Sequence, residues 1–342
     1  MSNYIVTSMF CLWATMLAPG FLYQGQSGSQ PRSIAPESSA PRQAVVTTEP
    51  IILETPAGKL FGSLEAPKSS APPPVALIIA GSGPTDRNGN SPGIQGANNS
   101  LKYLAEGLAA QGVSSVRYDK RGVAESIKAA TRQSDLRFET YIDDAVLWGK
   151  QLRADKRFSS VIIIGHSEGS LIGMVAAQKM NADAFISVAG AGRPAPQGLL
   201  DQLKRNLPAD LQSQAEMIIK SLSEGKIVED VPPALVPLFP RSIQPYIISY
   251  FKYDPAKEIA KLSIPILITQ GTTDIQVPAQ DAKLLAEAKP TASLLMIEGM
   301  NHMLKEVPAE QEKQLKSYTD PSLPVAPKLI DGMSSFIKSI KK

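Results

Sequence analysis

The stretch SSVIIIGHSEGSLIGMVAAQKM, residues 159–180, decides how the rest of the chain is read. Val161–Ile164 reads as a strand and Ser170–Met180 as a helix. Gly165-His166-Ser167-Glu168-Gly169 sits directly between them. A serine that acts as a nucleophile must project from a sharp strand-to-helix turn, where any side chain larger than hydrogen collides with its neighbours. Glycines two residues before and two after Ser167 allow that turn. The amino terminus of the following helix offers free N–H groups and partial positive charge to a developing oxyanion. An ordinary glycine-rich turn is the plainer reading, and the position between strand and helix argues against it.

Outward from this segment the chain alternates strands and helices. Ile51–Glu54 and Lys59–Leu64 flank Pro56–Gly58 and read as an antiparallel hairpin. Val75–Ala80 is a continuous apolar run, as in a strand buried on both faces. Leu101, Leu104, Ala105, Leu108 and Ala109 fall at helical spacing, with Asn99 or Ser100 as cap and Gly112 as stop. Val113–Tyr118 is the next strand. Phe138, Tyr141, Ile142, Ala145 and Val146 line one helix face, and Asp143 and Asp144 are expected on the solvated face. Ala184–Val188, Ile264–Thr269 and Ser293–Ile297 are further strands. Helices follow around Ala282–Ala288 and around Met333, Phe336, Ile337 and Ile340. This alternation predicts an α/β fold with a mostly parallel central sheet and helices on both faces. Residues from about 193 to 257 lack a convincing strand and read as a helical lid inserted between core strands. Residues 309–328, rich in proline, read as an ordered surface excursion.

A serine hydroxyl is a weak nucleophile and needs a positioned base. The chain has two histidines. His166 adjoins Ser167 on the same turn, so its ring is expected to point away from the hydroxyl, as a structural or pocket-lining group. That leaves His302, in Gly299-Met300-Asn301-His302 just past a strand, as the candidate base. A carboxylate must hold its tautomer. Asp274 follows the strand IPILITQG at the same sheet edge; Asp281 is the alternative, expected on a solvated helix face, and Asp254 reads as a helix cap. The order Ser167, Asp274, His302 matches one of several unrelated triad folds. The loop Gly81–Asn90 is the expected second half of an oxyanion hole. Its donor is assigned to the Ser82 N–H, with Gly83 as alternative, paired with the Glu168 N–H.

Composition narrows the alternatives. The chain has 342 residues, 43% hydrophobic, with 35 basic and 32 acidic side chains, so a net charge of +3 is spread thinly and nucleic acid is a poor partner. One cysteine and two histidines leave no room for a His/Cys zinc site or a disulfide framework. Residues 1–25 contain the apolar run Ile5 to Tyr23 and read as a signal peptide for export to the periplasm or medium. An uncleaved membrane anchor is the alternative. Residues 26–44 read as a flexible linker and 45–342 as the folded domain. The sequence does not fix the oligomeric state.

Together these residues resemble the α/β-hydrolase superfamily over roughly residues 45–342. The segments GSGPTDRNGN (81–90), SVRYDKRGVAES (115–126), GHSEG (165–169), QGTTDIQVP (270–278) and GMNHMLK (299–305) are more narrowly similar to EstD-type carboxylesterases, beside serine aminopeptidase-like hydrolases. The resemblance implies Ser167 as nucleophile, with Asp274 and His302 completing its triad. It also implies structural roles for Asp119, Arg121 and Gly122, bracing of the oxyanion loop by Asp86 and Arg87, and cleavage of short to medium acyl esters without a metal or organic cofactor. Ala124 stands where the pattern has glycine, and a stiffer turn is expected there. Phe239, Tyr246, Ile247, Tyr250 and Phe251 are candidate walls for an acyl group, although burial within the lid accounts for them as well. An aminopeptidase using Glu229 and Asp230 to hold an ammonium, a thioesterase or lactonase, and a non-catalytic binding protein are the alternatives.

Overall fold

In the computed structural model, residues 46–92 and 95–340 are described. The apolar run 5–23 and the linker 26–44 lie outside them, so the signal and anchor readings do too.

The first two strands form the anticipated hairpin, β1 (Val46–Thr55) and β2 (Gly58–Pro67), antiparallel with Leu53 opposite Leu60. Both strands are longer than their apolar patterns suggest, because one side of β1 faces water and carries polar residues. The remaining strands are β3 (Val75–Ile79), β4 (Ser114–Tyr118), β5 (Val161–His166), β6 (Ala184–Val188), β7 (Ile266–Gly271) and β8 (Ser293–Ile297). They join the hairpin in one sheet of order β1-β2-β4-β3-β5-β6-β7-β8. The pairings from β4 to β8 are parallel.

Successive side chains of each strand enter opposite cores. Val75, Leu77, Ile79, Val161 and Ile163 pack with helices α2 (Phe138–Ala154) and α3 (Glu168–Met180). Ala76, Ile78, Ile162 and Ile164 pack with α1 (Ser100–Ala110) and the last helix, α10 (Pro327–Ser339). Burial on both sides explains why the central strands read as continuous apolar runs rather than alternating ones. Ser100 is the first residue of α1, and its N–H is satisfied by Asn98 Oδ1 at 2.9 Å.

Asp144 departs from expectation. It is buried, not solvated, and its carboxylate accepts from the Arg121 guanidinium. A charge-assisted double hydrogen bond lets a carboxylate enter the core side of a helix that also carries the exposed Asp143. The Arg121 and Asp119 segment is structural, as the family pattern implies. Asp119 accepts from the Arg87 backbone N–H at 2.8 Å and from its guanidinium. Ala124 does adopt a positive φ of 43°, where a side chain is strained.

Between β6 and β7 the chain is helical: α4 (Ala195–Asn206), α5 (Ala209–Ser223), α6 (Gln244–Tyr250) and α7 (Pro255–Ala260). Asp254 caps α7 through the N–H groups of Ala256 and Lys257. This insertion has its own apolar cluster, which includes Leu199, Leu222, Phe239 and Ile247. Helix α8 (Ala279–Ala288) follows β7, and α9 (Gln311–Ser317) lies within the second excursion.

Candidate active site

The chain leaves β5 at His166 and enters α3 at Glu168, so Ser167 alone makes the turn, at φ 56° and ψ −123°. Its N–H donates to Val188 O at 2.9 Å, and its own carbonyl accepts from Ser170 N–H at 2.9 Å, which pins the backbone on both sides. The flanking glycines are required by close approach. A Cβ on Gly165 would stand 2.2 Å from Gly169 O, and one on Gly169 would stand 2.4 Å from Ile79 O. The strain of positive φ falls on the serine itself.

Three other strand ends reach the same rim. Past β3, Ser82 enters the cavity beside Ser167; Gly83 does not line it. Asp86 braces this loop by accepting from the N–H groups of Asn88 at 2.8 Å and Asn90 at 2.9 Å. Past β7 comes Asp274, and past β8 comes His302. The two loops are stapled together. Thr273 N–H donates to Met300 O at 3.1 Å, Thr273 Oγ1 to Gly299 O at 2.8 Å, and Gly299 N–H to Thr272 Oγ1 at 2.9 Å. Gly271 fits beneath them only because it lacks a Cβ, which would lie 1.9 Å from Met300 O.

The result is a direct contact between two of the three sequence-derived residues. His302 Nδ1–H donates to Asp274 Oδ2 at 2.8 Å, with both side chains almost wholly buried. Asp274 is held in turn: Oδ1 accepts from the N–H groups of Gln276 at 2.8 Å and Val277 at 2.9 Å, and Oδ2 accepts from Gln270 Nε2 at 3.1 Å. With Nδ1 engaged, Nε2 is the His302 nitrogen left for a hydroxyl. His302 and Ser167 line one cavity of about 40 Å³, together with Gly81, Ser82, Thr85, Gln276, Met303 and Tyr318.

His166 does turn its ring elsewhere. Its Nε2 donates to the His302 carbonyl at 2.9 Å, and the two rings lie 4.9 Å apart. Because a carbonyl only accepts, Nε2 must carry the proton. Burial, helped by the nearby His302, pushes the His166 imidazole down to about 3. The unfolded chain takes up this proton near 6.5 and the folded protein does not, so stability present above 6.5 is lost as pH falls toward 3. The expected slope from this residue is at most about 1.4 kcal/mol per pH unit. Urea unfolding of His166→Gln between pH 6 and pH 4 should show a shallower decline than the parent; an equal decline would assign the acid sensitivity to other groups.

One sequence expectation is overturned here. Asp281 is not a solvated face residue. It is buried and accepts from Gly192 N–H at 2.9 Å, Arg193 N–H at 3.1 Å and the Arg193 guanidinium at 2.8 Å, so it anchors the entry to the insertion. For the residues weighed as acyl walls or as packing within the insertion, packing is what the structure shows. Phe239 and Ile247 sit in the insertion's own core, and Tyr250 stacks on Phe138 at 4.8 Å. Glu229 and Asp230 are exposed, with Glu229 paired to Arg241. Sequence reasoning missed Gln270, Thr272 and Thr273, although all three lie inside the QGTTD motif; Tyr318 carried no local signal.

The sheet order, the strained serine at the end of β5 and the His–Asp pair at the ends of β7 and β8 give the chain the α/β-hydrolase fold. The family model described as serine aminopeptidase, S33, matches residues 91–230. Esterase EstD of Thermotoga maritima is 29% identical over 263 residues, which is 75% of this chain and 61% of that protein's length. Among solved structures, Est1E from Butyrivibrio proteoclasticus with ferulic acid bound is 17% identical, with TM-score 0.55, over 85% of this chain and 98% of the other. A malate-bound thermophilic esterase from Thermogutta terrifontis is 16% identical, with TM-score 0.52, over 86% and 100%. At these identities the two structures speak for the fold alone.

Proposed function

We propose that the protein is a serine carboxylesterase that hydrolyses short acyl esters through an acyl-enzyme. The observation that carries this reading is the His302–Asp274 hydrogen bond of 2.8 Å at the wall of the cavity that also contains Ser167. Ser167 Oγ attacks the ester carbonyl as its proton passes to His302 Nε2. The imidazolium, stabilised by Asp274, returns that proton to the departing alcohol. The N–H groups of Ser82 and Glu168 take the oxyanion. Water then repeats the sequence on the acyl-enzyme and releases the acid. The similarity to an esterase supports an ester substrate.

The cavity beside Ser167 and His302 is small, which favours a short acyl group over a long chain. Turnover of p-nitrophenyl esters is therefore expected to be highest for acetate to butyrate and to fall at least tenfold by decanoate. A maximum at decanoate would mean that the acyl group lies outside this cavity. No turnover of any ester, with active cleavage of leucine p-nitroanilide, would replace the esterase reading by an aminopeptidase. The exposed and Arg-paired Glu229 gives the aminopeptidase little support.

A further inference from the structure

Lys120 is the first group that the mechanism above leaves unused. It is 1% exposed, and among the described residues only Lys305 is a comparably buried lysine. Strands β3 and β4 run in parallel with Ile78 opposite Arg117, so three residues further along each chain Gly81 and Lys120 leave the sheet side by side. There Lys120 Nζ donates to the Gly81 carbonyl at 2.5 Å and lies 5.3 Å from the centre of the Tyr141 ring. Gly81 itself is packed against the nucleophile, since a Cβ on it would lie 3.1 Å from Ser167 Cβ.

The carbonyl of Gly81 and the N–H of Ser82 belong to the same peptide group. That group is planar and trans, so its C=O and N–H bonds point in opposite directions and rotate together. A cation fixed on the Gly81 oxygen therefore fixes the direction of the Ser82 N–H and strengthens it as a donor. Glu168, whose N–H is the other candidate donor, is buried directly after Ser167. Burial raises its carboxyl above the usual carboxylate range, the Lys120 charge opposes that rise, and Tyr246 O–H from α6 donates to its Oε1 at 2.7 Å.

We infer that Lys120 is a positioning residue for the oxyanion hole, acting through the Gly81–Ser82 peptide. It does not touch the substrate. The inference rests on the esterase reading and refines it.

The test replaces the ammonium while keeping the stem. Lys120→Met is expected to lower kcat for p-nitrophenyl acetate by about tenfold to a hundredfold, a part of what loss of a whole oxyanion donor costs. KM should stay within threefold. Inhibition by phenylboronic acid, whose tetrahedral adduct with Ser167 carries an oxygen at the oxyanion position, should weaken by a similar factor. Lys120→Gln, uncharged and shorter but still polar, should move both quantities in the same direction and serves if the methionine variant does not fold. A folded variant that binds the boronate within twofold of the parent overturns the inference. So does the failure of both variants to fold, because Lys120 would then hold the core rather than the loop. A parent protein that neither hydrolyses esters nor binds the boronate sinks the esterase reading instead.

Discussion

Ser167→Ala should lower kcat/KM for p-nitrophenyl acetate by about 10⁶, to near the uncatalysed rate, since removing a nucleophile costs as much as removing the whole catalytic unit. Ser167→Gly should be equally inactive, and the two variants should part in stability. Ser167 stands at φ 56° and ψ −123°, a conformation that costs a residue with a Cβ on the order of 1–3 kcal/mol. Alanine keeps that cost. Glycine removes it, but the unfolded chain gains freedom worth about 1 kcal/mol, so the expected net gain is at most about 2 kcal/mol. Thermal unfolding of the three proteins measures the difference. Residual activity above one part in a thousand in either variant would remove Ser167 from the reaction, and a glycine variant less stable than the alanine one would mean that the turn stores no strain.

The architecture was legible because its physics is local. A strand covered on both faces has no polar side, and VALII, VIII and AFISV show none. That His302 meets Asp274 beside Ser167 was legible for another reason: scarcity. With two histidines in the chain and one of them beside the serine, elimination did what pattern could not. The failures share a cause. Asp144 and Asp281 looked solvated because an acid on a helix usually is, and their arginine partners lie 23 and 88 residues away in sequence. Nothing in the local pattern distinguishes a paired acid from a free one. The aromatic residues of the insertion were open to two readings from the sequence, since an apolar side chain in a helical excursion can serve a small private core or a ligand, and composition does not say which. Lys120 went unremarked because lysine is so commonly exposed.

Asp274→Asn is expected to lower kcat/KM by about 10⁴ at neutral pH without unfolding the protein. The asparagine has two ways to sit. Its oxygen can stay on the Gln276 and Val277 N–H groups, or it can turn toward His302 and leave those two N–H groups facing an amide NH₂. The second arrangement strands two donors at about 1–3 kcal/mol each, so the first prevails. The NH₂ then occupies the Oδ2 position, opposite Gln270 Nε2 and His302 Nδ1. A donor there makes His302 accept at Nδ1 and carry its proton on Nε2, where it can no longer take one from Ser167. The same geometry separates this residue from its rival. Asp281 bonds Gly192 and Arg193 and no part of His302, so Asp281→Asn should reduce stability while leaving kcat/KM within about threefold of the parent. If Asp281→Asn proved the more damaging to turnover, with stability unaffected, the carboxylate that orients His302 would have to be reassigned, and with it the reason that Nε2 rather than Nδ1 faces the nucleophile.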